Sequence, residues 1–303
     1  MRKLLLTAIT TVLLAGLATP AKADVLPVPS AALALANAAA HPDTSPAGSN
    51  DWSCRPTAAH PRPVVLVHGT VENMTFNWFT LSPLLKSKGY CVFAFNYGQL
   101  PGRYAGLPGS RLAGGVAPVP TSAGQLEAFV DRVLEATNSS RVDLVGHSQG
   151  GMMPRYYLKF LGGAAKVGHL VALSPSNHGT TVDGLAHLPG VPELLSTGLG
   201  PSVRDQIKGS ELLRKLNAGG DTVPGVRYTV IQTRYDEVVT PYTSAFLTGP
   251  KVTNILLQDR CPLDASDHLS ISFTSPASQY VVNALDPAHA KPVRCDLALP
   301  AVG

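Results

Sequence analysis

The sequence predicts an α/β fold, a mostly parallel sheet with helices on both faces, and three observations carry that prediction. Apart from Asp143 and the terminal Asn96, residues 63–67, 91–96, 142–145 and 170–173 are apolar without alternation, as strands buried on both faces are. Segments with apolar residues at helical spacing separate these runs. The loops after the strands gather Gly, Ser, Thr and His, at the carboxyl edge where such sheets hold their ligands.

Taken in order, residues 1–23 read as an export signal. Arg2-Lys3 is a basic start, 4–17 an apolar run, and Ala21-Lys22-Ala23 a small-residue cleavage site. The run falls short of the roughly 20 residues that span a bilayer, so the expectation is a secreted protein with no stable membrane insertion. Residues 24–50 are an Ala/Pro-rich extension or pro-segment, with a short helix expected over 30–40 behind Ser30 as cap. A single domain is expected over 51–303.

Within it, strand 63–67 ends in His68-Gly69-Thr70. The spacing of Phe79, Leu81, Leu84 and Leu85 predicts one helix over 77–88, stopped by Gly89. Strand 91–96 follows, then a Gly/Pro-dense loop over 98–120 and a helix over 122–137. The strand 142–145 runs almost directly into a helix over 149–161, and 170–173 is the next strand. Residues 177–221 break the alternation, with one helix expected over 202–217. Their exposed apolar character reads as a cap or ordinary surface packing. Strands over 227–233 and 252–258 and a helix over 275–285 close the chain.

The net charge of +4 comes from scattered basic residues, with no Lys/Arg run or aromatic interleave that would suit nucleic acid. Four cysteines in an exported chain suggest two disulfides, of three possible connectivities. No Cys/His spacing suits zinc and no loop has a calcium signature, so no metal or cofactor is expected.

The chemistry centres on Gly146-x-Ser148-x-Gly150 at the turn from strand 142–145 into helix 149–161. Such a turn strains its central residue, and side chains on the flanking positions would collide with strand and helix. Ser148 would stand exposed above a helix N-terminus that favours developing negative charge. A serine nucleophile needs a base, and the base needs a carboxylate to hold its tautomer. In this kind of sheet the chain order is Ser, then Asp or Glu, then His. Asp236, just past strand 227–233, and His268, after the last strand, fit that order. Glu237 is a rival acid, while Asp264 and Asp267 lie too near His268 in sequence to orient it. His178 and His187 precede the acid and would break the order, and His147 is expected to pack beneath the turn. An oxyanion needs N–H donors. The backbones of Gln149 and Thr70 are expected to supply them, with the Thr70 hydroxyl as a third.

Residues 65–70, 146–150, 174–180 and 235–239, with Asp267-His268, resemble the secreted bacterial triacylglycerol lipases of the α/β-hydrolase superfamily. With its run over 201–220 before the Asp236-Glu237 motif, the chain is similar to the fungal lipase B group in particular. The resemblance implies the α/β-hydrolase fold, Ser148 as nucleophile, Asp236 as acid, His268 as base, and Thr70 with Gln149 as oxyanion hole. It also implies the pairs Cys54–Cys91 and Cys261–Cys295, and a monomer acting on lipid or ester substrates, with an oil–water interface as the setting. One departure is His68-Gly69, where the fungal enzyme has Pro-Gly. The alternatives are a short-chain carboxylesterase or cutinase-like polyester hydrolase and, from another class, a non-catalytic binding protein on the same scaffold.

Overall fold

Six runs dominated by β-branched and large apolar residues form the sheet: β1 Val64–Val67, β2 Val92–Ala94, β3 Val142–His147, β4 Val167–Leu173, β5 Arg227–Gln232 and β6 Val252–Leu256. The computed structural model describes residues 31–100, 113–301 and 303. The expected export signal, residues 24–30 with the expected cap Ser30, and part of the loop expected over 98–120 lie outside the described residues. The strands pair in the order β2-β1-β3-β4-β5-β6, and every pair is parallel. Alternate residues serve opposite faces. Val65 and Val67 join Leu126, Val130 and Tyr157 on one side, whereas Val64 and Leu66 join Leu81, Leu85 and Val281 on the other.

Parallel pairing needs crossovers, and the helices supply them. They are α1 Ala31–Ala40, α2 Met74–Asn77, α3 Leu81–Ser87, α4 Val119–Thr137, α5 Gln149–Phe160, α6 Val191–Leu199, α7 Pro201–Asp205, α8 Glu211–Asn217 and α9 Ser275–Leu285. After β2 the chain crosses back over β1 to begin β3, so the direction of strand addition reverses between β1 and β3. That reversal creates the crevice in which α/β sheets bind ligands. Val67 pairs with Gly146 across it, so the loop holding Thr70 and the turn holding Ser148 leave the sheet side by side.

Two expected helices have other bounds. The helix expected over 77–88 forms only as α3, from Leu81, and before it lies the separate short α2, which Asn73 caps by accepting from the Phe76 N–H at 2.8 Å. The chain then bends through Trp78 to bury its whole indole. The helix expected over 202–217 is α7 and α8, interrupted by Gly209 in the left-handed region and restarted by Ser210, which caps Leu213. The last strand stops at Leu256 rather than 258, where the backbone tightens into a short 3-10 turn.

The segment before the domain is not loose in its described part. Ala31, Ala34 and Ala38 make a buried stripe of small side chains that lets α1 lie against Phe76 and Phe273. Past it, the Asn50 side chain bonds both ways with the Ala94 backbone, at 2.8 and 2.9 Å, as a neighbouring strand would. Disulfides join Cys54 to Cys91 and Cys261 to Cys295, 37 and 34 residues apart. Loops of that size are worth about 3–4 kcal/mol each in the chain-entropy picture. No described helix is long and apolar enough to cross a membrane.

Candidate active site

Between β3 and α5 the chain turns so tightly that Ser148 takes φ 54° and ψ −124°. A Cβ on Gly146 would lie 1.8 Å from the Gly150 carbonyl oxygen, and one on Gly150 would lie 2.0 Å from that of Val67. Neither position accepts a side chain. The Ser148 N–H donates to Leu173 of β4 at 2.9 Å, tying the strained residue to the sheet.

The loops after β5 and β6 bring a carboxylate and an imidazole to this serine. His268 Nε2 lies 3.0 Å from Ser148 Oγ, and Nδ1 lies 2.9 and 3.0 Å from the two Asp236 oxygens. Asp236 is itself held by the Val238 and Val239 N–H groups at 3.0 and 2.7 Å and by the Gln232 amide at 3.0 Å. Burial alone would lower the His268 pKa, but the charge and hydrogen bond of Asp236, with Glu72 and Glu237 behind it, leave it raised above 6.5. Burial would raise Asp236, and the neighbouring His268 together with these donors leaves it lowered. The two groups therefore stabilise each other's charged forms.

Thr70 and Gln149 stand over Ser148. No hydrogen bond from either backbone N–H to another described group is found, which leaves both for an oxyanion. The Thr70 hydroxyl accepts from the Gln149 and Gln206 side-chain amides at 2.7 and 2.9 Å. With both lone pairs engaged, its one hydrogen remains to donate. Gln206 is turned for this by Ser176, whose hydroxyl donates to its amide oxygen at 2.8 Å. With Thr70 as the oxyanion donor the sequence leads one to expect, replacing it by Val should lower kcat for ester hydrolysis about a hundredfold with little change in KM. Thr70→Ser should retain most of the rate, and steady-state kinetics of the two variants would check this.

The rivals lie elsewhere. Glu237 accepts from the His268 backbone N–H at 3.2 Å rather than from the ring. Asp264 holds Ser266, and Asp267 holds Ser270 and Ala301. His178 bridges Ser244 and Asp221, and His187 sits in a short 3-10 turn of the insert. His147 is fully buried under the turn, Nδ1 3.1 Å from Glu72 and Nε2 2.9 Å from the His268 carbonyl oxygen. Glu72, which no local pattern marks, also accepts from the Gly69 N–H at 2.8 Å, linking the loop after β1 to the backbone that carries His268.

A cavity of about 780 Å³ opens over Ser148 and His268. Leu195 and Leu199 of α6, Val203 of α7, and Ala31 and Leu35 of α1 form much of its apolar lining. The insert over 177–221 has two parts. Helix α8 buries Leu212, Leu213 and Leu216 in the core, whereas α6 buries nothing and leaves Leu194 71% exposed. Its two ends are pinned by the buried Arg155 of α5, which donates to the Asn177 carbonyl at 3.1 Å and the Asp221 carbonyl at 3.2 Å. Among the described residues no cluster of metal-ligating side chains occurs.

A parallel sheet with a strained serine at the β3–α5 turn, at the switch point, defines an α/β-hydrolase fold. The sequence profile described as "Lipase (class 2)" matches residues 61–280, and the chain belongs to that family. Similar curated proteins are a triacylglycerol lipase of Pseudarthrobacter phenanthrenivorans and one of Burkholderia plantarii, each 36% identical over 105 residues. That stretch covers 33% of this chain and about a quarter of each relative, 28% and 25% of their lengths. Among solved structures, the fold is similar to Aspergillus fumigatus lipase B, with a TM-score of 0.64 and 23% identity over 88% of this chain and 63% of that one. It is also similar to the mature Bacillus licheniformis lipase BlEst2, with a TM-score of 0.51 and 17% identity over 67% of this chain and 85% of that one.

Proposed function

We propose that the chain is a secreted serine hydrolase of carboxylic esters, with triacylglycerols as its substrate class. The observation that carries the reading is the unbroken relay from Ser148 Oγ through the His268 ring to Asp236 beside two unspent backbone donors. Ser148 attacks the ester carbonyl while His268 Nε2 takes its proton, and the N–H groups of Thr70 and Gln149 receive the oxyanion. The imidazolium then returns the proton to the leaving alkoxide, and water activated by the same ring releases the acid from the acyl-enzyme. Membership of the class 2 lipases and the similarity to triacylglycerol lipases support the substrate class. The apolar cavity suits a hydrocarbon chain. Export is supported by the basic-apolar-small pattern of residues 1–23 and by two disulfides, which persist in oxidising compartments.

The test is a rate profile over nitrophenyl esters from acetate to stearate, with emulsified triglyceride alongside. Turnover of the long esters and of triglyceride supports a lipase. Turnover confined to short soluble esters moves the assignment to a carboxylesterase or polyester hydrolase, and no turnover at all overturns the reading.

The pH dependence has a definite sign. Only neutral His268 accepts the serine proton, so activity requires pH above its pKa. Because that pKa is raised, the acid limb of kcat/KM is expected to have its midpoint above 6.5, with the optimum neutral to alkaline. A limb centred well below 6.5 would contradict His268 as base.

A further inference from the structure

The cavity over Ser148 is enclosed from two directions in sequence. One wall comes from the insert, through Leu195, Leu199 and Val203. The other comes from α1, the helix in the segment preceding the domain, through Ala31, Ala32 and Leu35. We propose that α1 is a specificity wall of the ester site, setting how long a hydrocarbon chain the site accepts. The inference rests on the ester-hydrolase reading of the same site and deepens it.

Helical geometry separates the duties of this short segment. Ala31, Ala34 and Ala38 repeat at the spacing of one face and are buried against Phe76 and Phe273. Ala32 and Leu35, three apart, form the neighbouring face, and both line the cavity. Leu33 lies off that face, 55% exposed, and does not line it. The wall also reaches the reacting groups. Leu269, adjacent to His268, packs with the α1 cluster and lines the cavity, as does Phe76 beneath the helix.

The wall is anchored as a wall must be. Immediately after α1, the Thr75 hydroxyl donates to the Thr44 carbonyl, and the Asn96 amide donates to the Pro42 carbonyl at 3.2 Å. The Ser82 hydroxyl donates to the Ala47 carbonyl at 2.9 Å. These bonds come from α2, α3 and the loop after β2, elements that frame the site. The lining side chains Ala31 and Ala32 are small and carry no polar group. They leave width for methylenes and offer nothing to glycerol hydroxyls or a charged headgroup. On this assignment α1 belongs to the working enzyme, and maturation that removed it would leave the site open on that side.

The test compares Ala32→Trp and Leu35→Trp, which push bulk into the cavity from an exposed face, with Leu33→Trp, which adds the same bulk off that face. Each is assayed on two ester series, one lengthening the acyl chain and one the alcohol, and each is checked for an unchanged thermal midpoint. In at least one series the first two variants should lower the long-to-short ratio of kcat/KM about tenfold or more, because pockets discriminate by that much per poorly fitted methylene. Short esters and the Leu33→Trp variant should behave as wild type. The series that responds identifies the arm of the ester lying on α1. Ratios within about twofold of wild type in both series, from folded Ala32→Trp and Leu35→Trp proteins, would overturn the wall while leaving the hydrolase intact. A wild-type protein that turns over no ester, and whose Ser148 is not labelled by a phosphonate, would overturn the hydrolase reading and the wall with it.

Discussion

Replacing Ser148 by alanine is expected to lower kcat about a million-fold, leaving KM and the thermal unfolding midpoint close to wild type. The magnitude follows from how the three side chains act. His268 and Asp236 contribute only through the serine oxygen, so deleting that oxygen removes all three contributions together. What remains is about 10³–10⁴ over the uncatalysed reaction, supplied by the oxyanion donors and by binding. The fold should survive, because the substitution keeps the Cβ that the strained φ of 54° already accommodates. It removes only an oxygen whose partner is His268. Turnover of a nitrophenyl ester by the purified variant, with its melting curve, measures both parts. Activity within about tenfold of wild type would mean that the reacting serine is another residue.

The same turn shows why part of this molecule can be read from its sequence. Gly146 and Gly150 are demanded by contacts of 1.8 and 2.0 Å that any side chain would make, so the geometry is written in residue type at fixed spacing. The buried strands are legible for a similar reason, because a parallel strand covered on both faces has no polar side to alternate with. Helix boundaries were less legible. Apolar spacing runs on through residues 77–88, since Trp78 and the side chains of α3 bury toward the same interior, and only the end of α2 at Asn77 and the burial of Trp78 show that the helix starts at Leu81. Gly209 and Ser210 are a legible break in the helix expected over 202–217, a stop and a cap in succession.

Least legible were the residues that act across long separations. Gln206 reaches the Thr70 hydroxyl over 136 positions, and the pairing of Glu72 with His147 spans 75. Each is one polar residue among many in sequence. Only the crevice between β1 and β3, and the packing of the insert over it, bring these partners to the serine. The proposed acid, base and nucleophile are different in kind. Their order along the chain is set by which strand ends at the site, so Ser148, Asp236 and His268 can be picked out before any contact is known.

Asp236→Asn is expected to lower kcat by about 10⁴ and, at the same time, to move the acid limb of the pH profile toward lower pH. The loss of rate comes from the tautomer. In the wild type, Asp236 Oδ1 accepts from Val238, Val239 and the His268 ring, and Oδ2 accepts from Gln232 and the ring. In the variant the two backbone N–H groups hold the amide oxygen at the first position. The new NH₂ then faces donors at the second. The His268 ring is relieved by carrying its hydrogen on Nε2, where it can no longer take the proton of Ser148. The shift has a separate cause. With Asp236 gone, the largest influence raising the His268 pKa is removed, and burial works against only the smaller raising influences of Glu72 and Glu237. The residual activity should therefore persist to lower pH than in the wild type. Stability follows the same pair with signs that can be worked out. Asp236, whose pKa is lowered, stabilises the fold above its unfolded value and loses that contribution as pH falls through the folded one. His268, whose pKa is raised, contributes below 6.5 and loses its share as pH rises through the folded value. Both contributions are level between 3.8 and 6.5 in the wild type and fall away outside that window, so the variant, which lacks the first and has the second reduced, should lose less melting temperature than the wild type below pH 3.8 and above pH 6.5. A variant with the wild-type acid limb and only a small loss of kcat would show that another carboxylate orients the base. Glu237, bonded to the His268 backbone N–H at 3.2 Å, is the one to substitute next.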